Sequence, residues 1–489
     1  LIRSRRLFKR LISAGVGAIS LAVYLQTLLP SIGWGDTARF QYVARVWGIP
    51  HRFGYPLYIA ISRLFGMLPV RDLAYRINLM SAVFAALAAV MVYAIVMQLA
   101  DDWIAAVSAA LSFAFSRALW GQAVIAEVYT LNAFLIGAVI LVLLAWHQTR
   151  RPALLYLGIG VYALSFGNHM TTVTLLPAVI YLVVATEYRV LLQPKKVTAM
   201  AGLVVLGAAQ YLYVILRAHQ QPLLNELGPF SWKGWIHWMT RNRFPGQFFG
   251  FTLGDQVDRL RIYLELLEIQ FFRWGYLLGF IGAWDWLKES SSTGSRRNLK
   301  SFVFLALAAL GIYVFGMNYG GITFRIYLIP SYLIFAVFIG IALSAMRRWL
   351  ADRMRGQPNW IARPMVAGLV AVALVMPLYP VWQNWAEVDQ SANTHYRDEA
   401  DNFVAHVEPN FVLVDSEMHY DDVEAILYAA WAEKGWYSAL RITPGGIDTW
   451  LGQRPIYCWY GDVDMAARYI QEPVPDLPGM ARVVGIREK

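Results

Sequence analysis

Apolar runs of about twenty residues, enough for a helix to cross a bilayer, recur along the first four-fifths of this chain with short polar breaks between them. About eleven qualify as spans: 11–29, 77–99, 103–119, 129–146, 153–166, 172–185, 197–216, 267–287, 302–317, 326–346 and 365–379. The fifth and sixth are short, which a tilted neighbour or a partial span accommodates. Two of the intervening segments are long. In the first, 30–76, two interfacial helices are expected. Phe40, Val43 and Trp47 recur at i, i+3 and i+7 within 37–47, an apolar stripe suited to lie on the membrane. Asp36 would stand at the N-cap of that helix. The second, 217–261, concentrates Trp232, Trp235, Trp238, Arg241, Arg243 and Phe244, which reads either as an aromatic belt or as a stacking surface for a sugar or acceptor.

After Gln383 the pattern changes. Residues 383–397 are polar and linker-like, and beyond them strands at 411–415, 437–442 and 455–460 alternate with helices at 399–407 and 421–434. That alternation predicts a small α/β unit. The expected fold is an α-helical polytopic membrane protein of about eleven transmembrane helices, 1–382, followed by a small extracytoplasmic α/β domain, 383–489.

Composition agrees with a membrane protein. Of 489 residues, 58% are hydrophobic and only 15% charged, against about 25% charged in soluble domains, and the mean hydropathy is +0.45. One cysteine, Cys458, excludes an intrachain disulfide and a cysteine-based metal cluster. The net charge of +10 is dispersed among the spans, so anionic lipid or phosphate is the expected partner and nucleic acid is not. The basic segment 1–10 precedes a run too long for a typical signal-peptide core, with no small-x-small site after it, and is expected to be an uncleaved anchor.

Charge also sets an expected orientation. With a cytoplasmic amino terminus, the inner segments 1–10, 101–102, 147–151, 187–196, 284–300 and 347–363 hold 19 of the 42 Lys and Arg residues, as the positive-inside rule requires of short loops. The rest of the chain before the tail, the outer segments included, carries 15 basic residues, all arginine except Lys233. Arginine's planar fork suits phosphate oxygens, although snorkelling to headgroups accounts for most such positions.

Against that frame four positions stand out. Asp36 is a carboxylate just past the first span, in a stretch that also holds Arg39, His51 and Tyr55. A carboxylate placed there is costly unless it has a task, which makes Asp36 the candidate catalytic base. Glu127 lies at another outer span end, where pairing with Arg117 competes with a site role. His169 sits at a third, either as a hydrogen-bonded structural residue or as part of the site. Arg325 opens a span at its outer mouth and binds either a lipid phosphate or headgroups. No Walker loop, GxGxxG, HExxH or GxSxG motif is present, and no metal-ligand spacing decides for or against a divalent ion.

The ordered motifs resemble one family. They are Gly35-Asp36; Pro50-His51 with Gly54-Tyr55-Pro56-Leu57-Tyr58; Arg76-Ile77-Asn78-Leu79-Met80-Ser81-Ala82; Ala126-Glu127-Val128-Tyr129; and Gly167-Asn168-His169-Met170-Thr171. Together they are similar to the multi-pass family long filed as a domain of unknown function and placed among the GT-C glycosyltransferases, whose animal members are protein O-mannosyltransferases. The likeness is good over about 11–185, looser around Arg241–Arg243 and Arg325–Tyr332, and faint in the tail. Where the family commonly reads His-Pro-Pro-Gly-Tyr-Pro, this chain has Arg52-Phe53 in place of the two prolines.

The resemblance implies a GT-C-like fold and transfer of a sugar, mannose by analogy, from a polyprenyl-phosphate carrier to an acceptor hydroxyl, protein Ser/Thr included, at the outer membrane face. An inverting displacement needs a base for the acceptor proton and positive charge at the departing phosphate. Asp36 fits the first role. Arg325, Arg241 or Arg243 fits the second, with Arg39, Tyr55 and His169 as further substrate-binding positions. His51 and Glu127 would orient the acceptor, or Glu127 and Asp36 would share a divalent metal. No other cofactor is implied. Two readings from other classes stay open: a flippase for a lipid-linked saccharide, and a non-catalytic scaffold that displays the tail.

Overall fold

Alanine shapes the centre of the helical bundle. In the helix Leu73–Ala100 the buried positions include Ala82, Ala85, Ala86, Ala88 and Ala89, and small side chains let membrane helices approach until their backbones pack. The helix starts at Asp72, whose carboxylate accepts from the Tyr75 N–H at 2.7 Å, and stops at Asp101 in a left-handed conformation. Asp102 then caps the next helix, Trp103–Ala114, through the N–H groups of Ile104 and Ala105. A two-residue acidic break in the hydropathy is therefore a stop signal followed at once by a start signal. The most enclosed span, Ile329–Arg353, packs against the helix Leu253–Ser292. At Gly282 a Cβ would lie 2.0 Å from the Phe338 carbonyl oxygen, so only glycine permits that approach.

The computed structural model describes residues 2–487 apart from 229, 235–249, 293, 322, 416 and 461–462. Among the described residues eight helices are long and apolar enough to cross a membrane, or nine if the pair Trp103–Ala114 and Arg117–Ala123, bent by 64°, is one span. The eleven expected runs do not map one to one. The run 153–166 lies on a helix of only 14 residues, Pro152–Ser165. The run 267–287 lies within Leu253–Ser292, which is broken at Phe272 and carries Glu268, Arg273 and Asp285 along that run.

The short basic connections gather at one end of the bundle. Lys9 pairs with Asp101 and Arg347 with Asp102. His147 contacts Thr186 at 2.7 Å and the Arg297 carbonyl at 3.2 Å, and Lys300 donates to the Ala185 carbonyl. The long connections meet at the other end. There Gln41 donates to Asn78 Oδ1 at 2.8 Å and to the Ser31 carbonyl at 3.1 Å, and Asn78 donates to the Leu29 carbonyl at 2.9 Å. This amide network ties the exit of the first helix to the start of Leu73–Ala100 and so fixes where Asp36 falls.

The helix Gly35–Val46 corrects the interfacial reading of its stripe. Ten of its 12 residues are buried, because it lies between Leu73–Ala100 on one side and the tail helix Tyr420–Leu427 on the other. Phe40 and Val43 face protein, and only Trp47, at the left-handed C-cap, stays exposed. A stripe of apolar positions says that a face is covered, not by what.

The tail forms a five-stranded sheet in the order β2-β1-β3-β5-β4, with β1 Val412–Val414, β2 Leu440–Ile442, β3 Ile456–Trp459, β4 Tyr469–Pro473 and β5 Met480–Ile486. β1 runs parallel to β2 and β3, and β5 antiparallel to β3 and β4. The first three strands fall within the expected segments. β4 and β5 went unread because exposed polar positions such as Glu472 and Arg482 dilute their apolar pattern. The polar linker is shorter than expected: the helix Leu378–Val388 runs past Gln383, and the next, His395–His406, follows within seven residues.

Candidate active site

Asp36 does not cap its helix. The N-cap of Gly35–Val46 is Trp34, and no side chain caps it. Asp36 stands two residues further on, in the first turn, where the helix dipole favours a carboxylate. Its Oδ1 accepts a hydrogen bond from the Tyr420 hydroxyl at 2.6 Å and lies 3.3 Å from His51 Nε2. Oδ2 has no hydrogen-bond partner among the described residues, and the side chain keeps 45% of its surface accessible. Gly35 makes room for this arrangement. Its φ is +43°, and a Cβ there would lie 2.4 Å from Asp421 Oδ1 and 3.1 Å from the Tyr420 ring. Burial pushes the Asp36 carboxyl up, but the facing His51, the hydrogen bonds from His51 and Tyr420, and the Arg39 charge outweigh it and hold the group below the ordinary carboxylate range.

His51 opens a turn closed by the Gly54 N–H donating to the His51 carbonyl at 2.8 Å, so Arg52-Phe53 makes this turn without the family's prolines. Tyr55 follows with φ +46°, a left-handed conformation that costs a non-glycine residue about 1–3 kcal/mol and is held only where surroundings impose it. Here they do. The Tyr55 ring meets His51 edge-on at 5.6 Å and stacks on His169 at 5.8 Å. His169 in turn lies 5.7 Å from both Tyr129 and Tyr327. The Leu57 N–H donates to the Gly167 carbonyl at 2.9 Å, locking the two motif loops together. His169 Nδ1 accepts from the Thr171 N–H, and burial, with the nearby His51 second, lowers its pKa to about 4, so the ring is neutral.

Glu127 joins the same site. Ser81 Oγ accepts from its N–H at 3.1 Å and donates to its carbonyl at 3.3 Å, which uses two of the recognised motifs to hold each other. Burial, and next the Asp36 charge, raise its carboxyl well above the ordinary value. The expected alternative, pairing with Arg117, does not occur; Arg117 pairs with Glu387. Nearby, the buried Tyr58 hydroxyl has no hydrogen-bond partner among the described residues, an unmet polar group of the kind that binding sites carry.

The arginines divide. Arg39, expected to bind substrate, is 3% exposed. Its fork reaches Glu424 at 2.5 Å, Glu226 at 3.1 Å and the Pro50 carbonyl at 3.1 Å, so it anchors the tail and supplies charge behind Asp36 instead of meeting a ligand. Arg325 is exposed beside Phe324, in the short helix Phe324–Tyr327 that carries Tyr327 to His169. Arg241 and Arg243 lie outside the described residues. Among the described residues no group of three or more His, Cys, Asp or Glu side chains is placed to hold a metal ion.

Three participants were not read from sequence. Tyr420 reaches Asp36 from the tail. Glu424 and Arg441 build the buried network behind it, with Tyr42 donating to Glu424 at 2.6 Å and Arg441 contacting Glu424 at 2.7 Å and Asp415 at 2.6 Å. The run Met418-His419-Tyr420-Asp421-Asp422, which follows β1, was the available signal.

Residues 36–192 match the family model described as the protein O-mannosyl-transferase TMEM260 N-terminal domain. The TMEM260 protein O-mannosyl-transferase of Mus musculus is 34% identical over 126 residues, 26% of this chain, and that of Dictyostelium discoideum is 25% identical over 287 residues, 53% of this chain. These segments span only 18% and 34% of those relatives' own lengths. The whole architecture is similar to ArnT from Cupriavidus metallidurans. The likeness holds for its apo state (TM-score 0.62, 12% identity) and for the form bound to undecaprenyl phosphate (0.59, 11%), each covering 96% of this chain and 97% of the other. The chain is a multi-pass membrane protein of GT-C-like fold, and its residues 36–192 resemble the N-terminal domain of the TMEM260 protein O-mannosyl-transferases.

Proposed function

We propose that this protein is a glycosyltransferase that moves a sugar, mannose by analogy with its relatives, from a polyprenyl-phosphate donor to an acceptor hydroxyl, with a protein Ser or Thr as the favoured acceptor. The observation that carries the reading is Asp36: an ionised carboxylate with Oδ1 held by Tyr420 and His51, and close enough to Glu127, Tyr55 and Tyr129 for its charge to act on them. In the proposed step the acceptor oxygen attacks the anomeric carbon as its proton passes to Asp36 Oδ2. The bond from that carbon to the phosphate oxygen breaks, and polyprenyl phosphate leaves with the electron pair. A positioned base of this kind contributes about a hundred- to ten-thousandfold in rate. Glu127, protonated by its burial, serves as a hydrogen-bond donor to sugar or acceptor. Arg325 meets the departing phosphate, where developing charge is worth stabilising. The likeness to a polyprenyl-phosphate-binding fold supports the choice of donor class.

We place the amino terminus in the cytoplasm, 1–382 in the membrane as the catalytic domain, and 383–489 outside with Asp36. Protease added to intact, right-side-out cells checks this, since a tail cut only after lysis reverses it. Purified protein given a panel of polyprenyl-phosphate sugars and a Ser/Thr-rich peptide tests the function. Transfer supports it, lipid movement without transfer makes the protein a flippase, and neither makes it a scaffold.

A further inference from the structure

The tail is more than an appendage. Its helix Tyr420–Leu427 lies on the helix that carries Asp36 and presents two side chains one turn apart, Tyr420 and Glu424. Glu424 is fully buried and bonded at once by Arg39, Tyr42 and Arg441. A fully enclosed carboxylate with three donors fixes the helix in one register, since any slip strands a buried charge. Arg39 lies 5.0 Å and Arg441 5.8 Å from the centre of the Tyr420 ring, so the same two cations that hold Glu424 also flank Tyr420. The phenol is left with one direction for its hydroxyl, and that direction ends on Asp36 Oδ1 at 2.6 Å.

We infer that Tyr420 is a positioning residue for Asp36, so that the C-terminal domain completes the active site. The inference rests on the proposed transferase reading. Asp36 alone on a partly open helix end would rotate about its side-chain bonds. With Oδ1 occupied by Tyr420 and His51, only Oδ2 is presented, and in one orientation. The titratable and charged groups facing it are His51 and Arg39 from the first long connection, Glu127 from the loop before Tyr129, and Asp421 from the tail. Tyr420 is the hydroxyl donor among them.

The test uses the full chain in lipid nanodiscs with polyprenyl-phosphate mannose and a Ser/Thr-rich peptide. Absence of transfer by the unaltered protein rejects the transferase reading itself, before Tyr420 is in question. Given transfer, Tyr420→Phe should lower kcat about tenfold or more, the loss expected for one hydrogen bond to a charged group, with the donor KM unchanged. It should also move the acid limb of the rate profile to higher pH. Replacing Tyr420 by 3,5-difluorotyrosine keeps ring and hydroxyl but makes a stronger donor, and should move that limb to lower pH. This second variant decides the matter even if the phenylalanine protein folds poorly. Limbs that stay in place, with kcat following only the folded fraction, overturn the inference.

Discussion

The Tyr420 hydroxyl and the Asp36 carboxylate meet at 2.6 Å across 384 positions of chain. One belongs to the C-terminal tail and the other to the first turn of the helix Gly35–Val46. The contact holds Oδ1 of the carboxylate and leaves Oδ2 without a hydrogen-bond partner among the described residues. Behind the contact, Arg39 and Glu424 form an ion pair in which the acid is wholly enclosed and the arginine nearly so.

Removing one partner of that pair should be expensive. Arg39→Met leaves Glu424 with Tyr42 and Arg441 only, and breaking a buried pair from one side typically costs about 3–5 kcal/mol. Thermal unfolding in detergent is expected to show a large fall, with proteolysis newly directed at the linker 389–394. The double variant Arg39→Met with Glu424→Leu should recover part of the loss. A single variant as stable as the parent would contradict the enclosed pairing.

Glu127 gives a pH-dependent signature. Its folded carboxyl is raised by burial and then by Asp36, so the stability it contributes is fully present below the unfolded value, about 4.3. That contribution is lost as pH rises through the folded value. Glu127→Gln has no proton to lose. The melting temperature of the variant relative to the parent is therefore expected to rise as pH increases from about 4 toward neutrality. A constant difference over that range would mean that Glu127 is already ionised in the folded protein.

Arg325 tests the phosphate assignment. Arg325→Ala should weaken binding of the donor lipid by about ten- to a hundredfold, roughly 1.5–3 kcal/mol for one charge-assisted contact, while leaving the melting temperature unchanged because the side chain is exposed. Unchanged affinity in the folded variant would assign Arg325 to lipid headgroups.

Asp36, His51, Glu127 and His169 were singled out from sequence, each in a connection that follows an apolar run, and the structure brings these connections together at one end of the bundle. Their ordered motifs carried the family resemblance. What stayed hidden depended on partners far away in sequence. The stripe of Phe40 and Val43 is the same whether lipid or a tail helix covers it. Arg39 looked like a free cation because Glu424, 385 positions on, is invisible from its neighbourhood. The number of spans was blurred where hydropathy runs ignore geometry, as at the break beside Phe272 and the bend between Ala114 and Arg117. Tyr420 sat between an expected strand, 411–415, and an expected helix, 421–434, and only docking gave it a task.

Asp36→Asn tests the assignment of the base most directly. Asparagine keeps the size of the side chain and still accepts from Tyr420, but it cannot take the acceptor's proton. With polyprenyl-phosphate mannose and a Ser/Thr-rich peptide, the variant should bind the donor as the parent does and transfer about a hundred- to ten-thousandfold more slowly. Near-parental turnover by well-folded Asp36→Asn would contradict it, and would take the base away from this carboxylate.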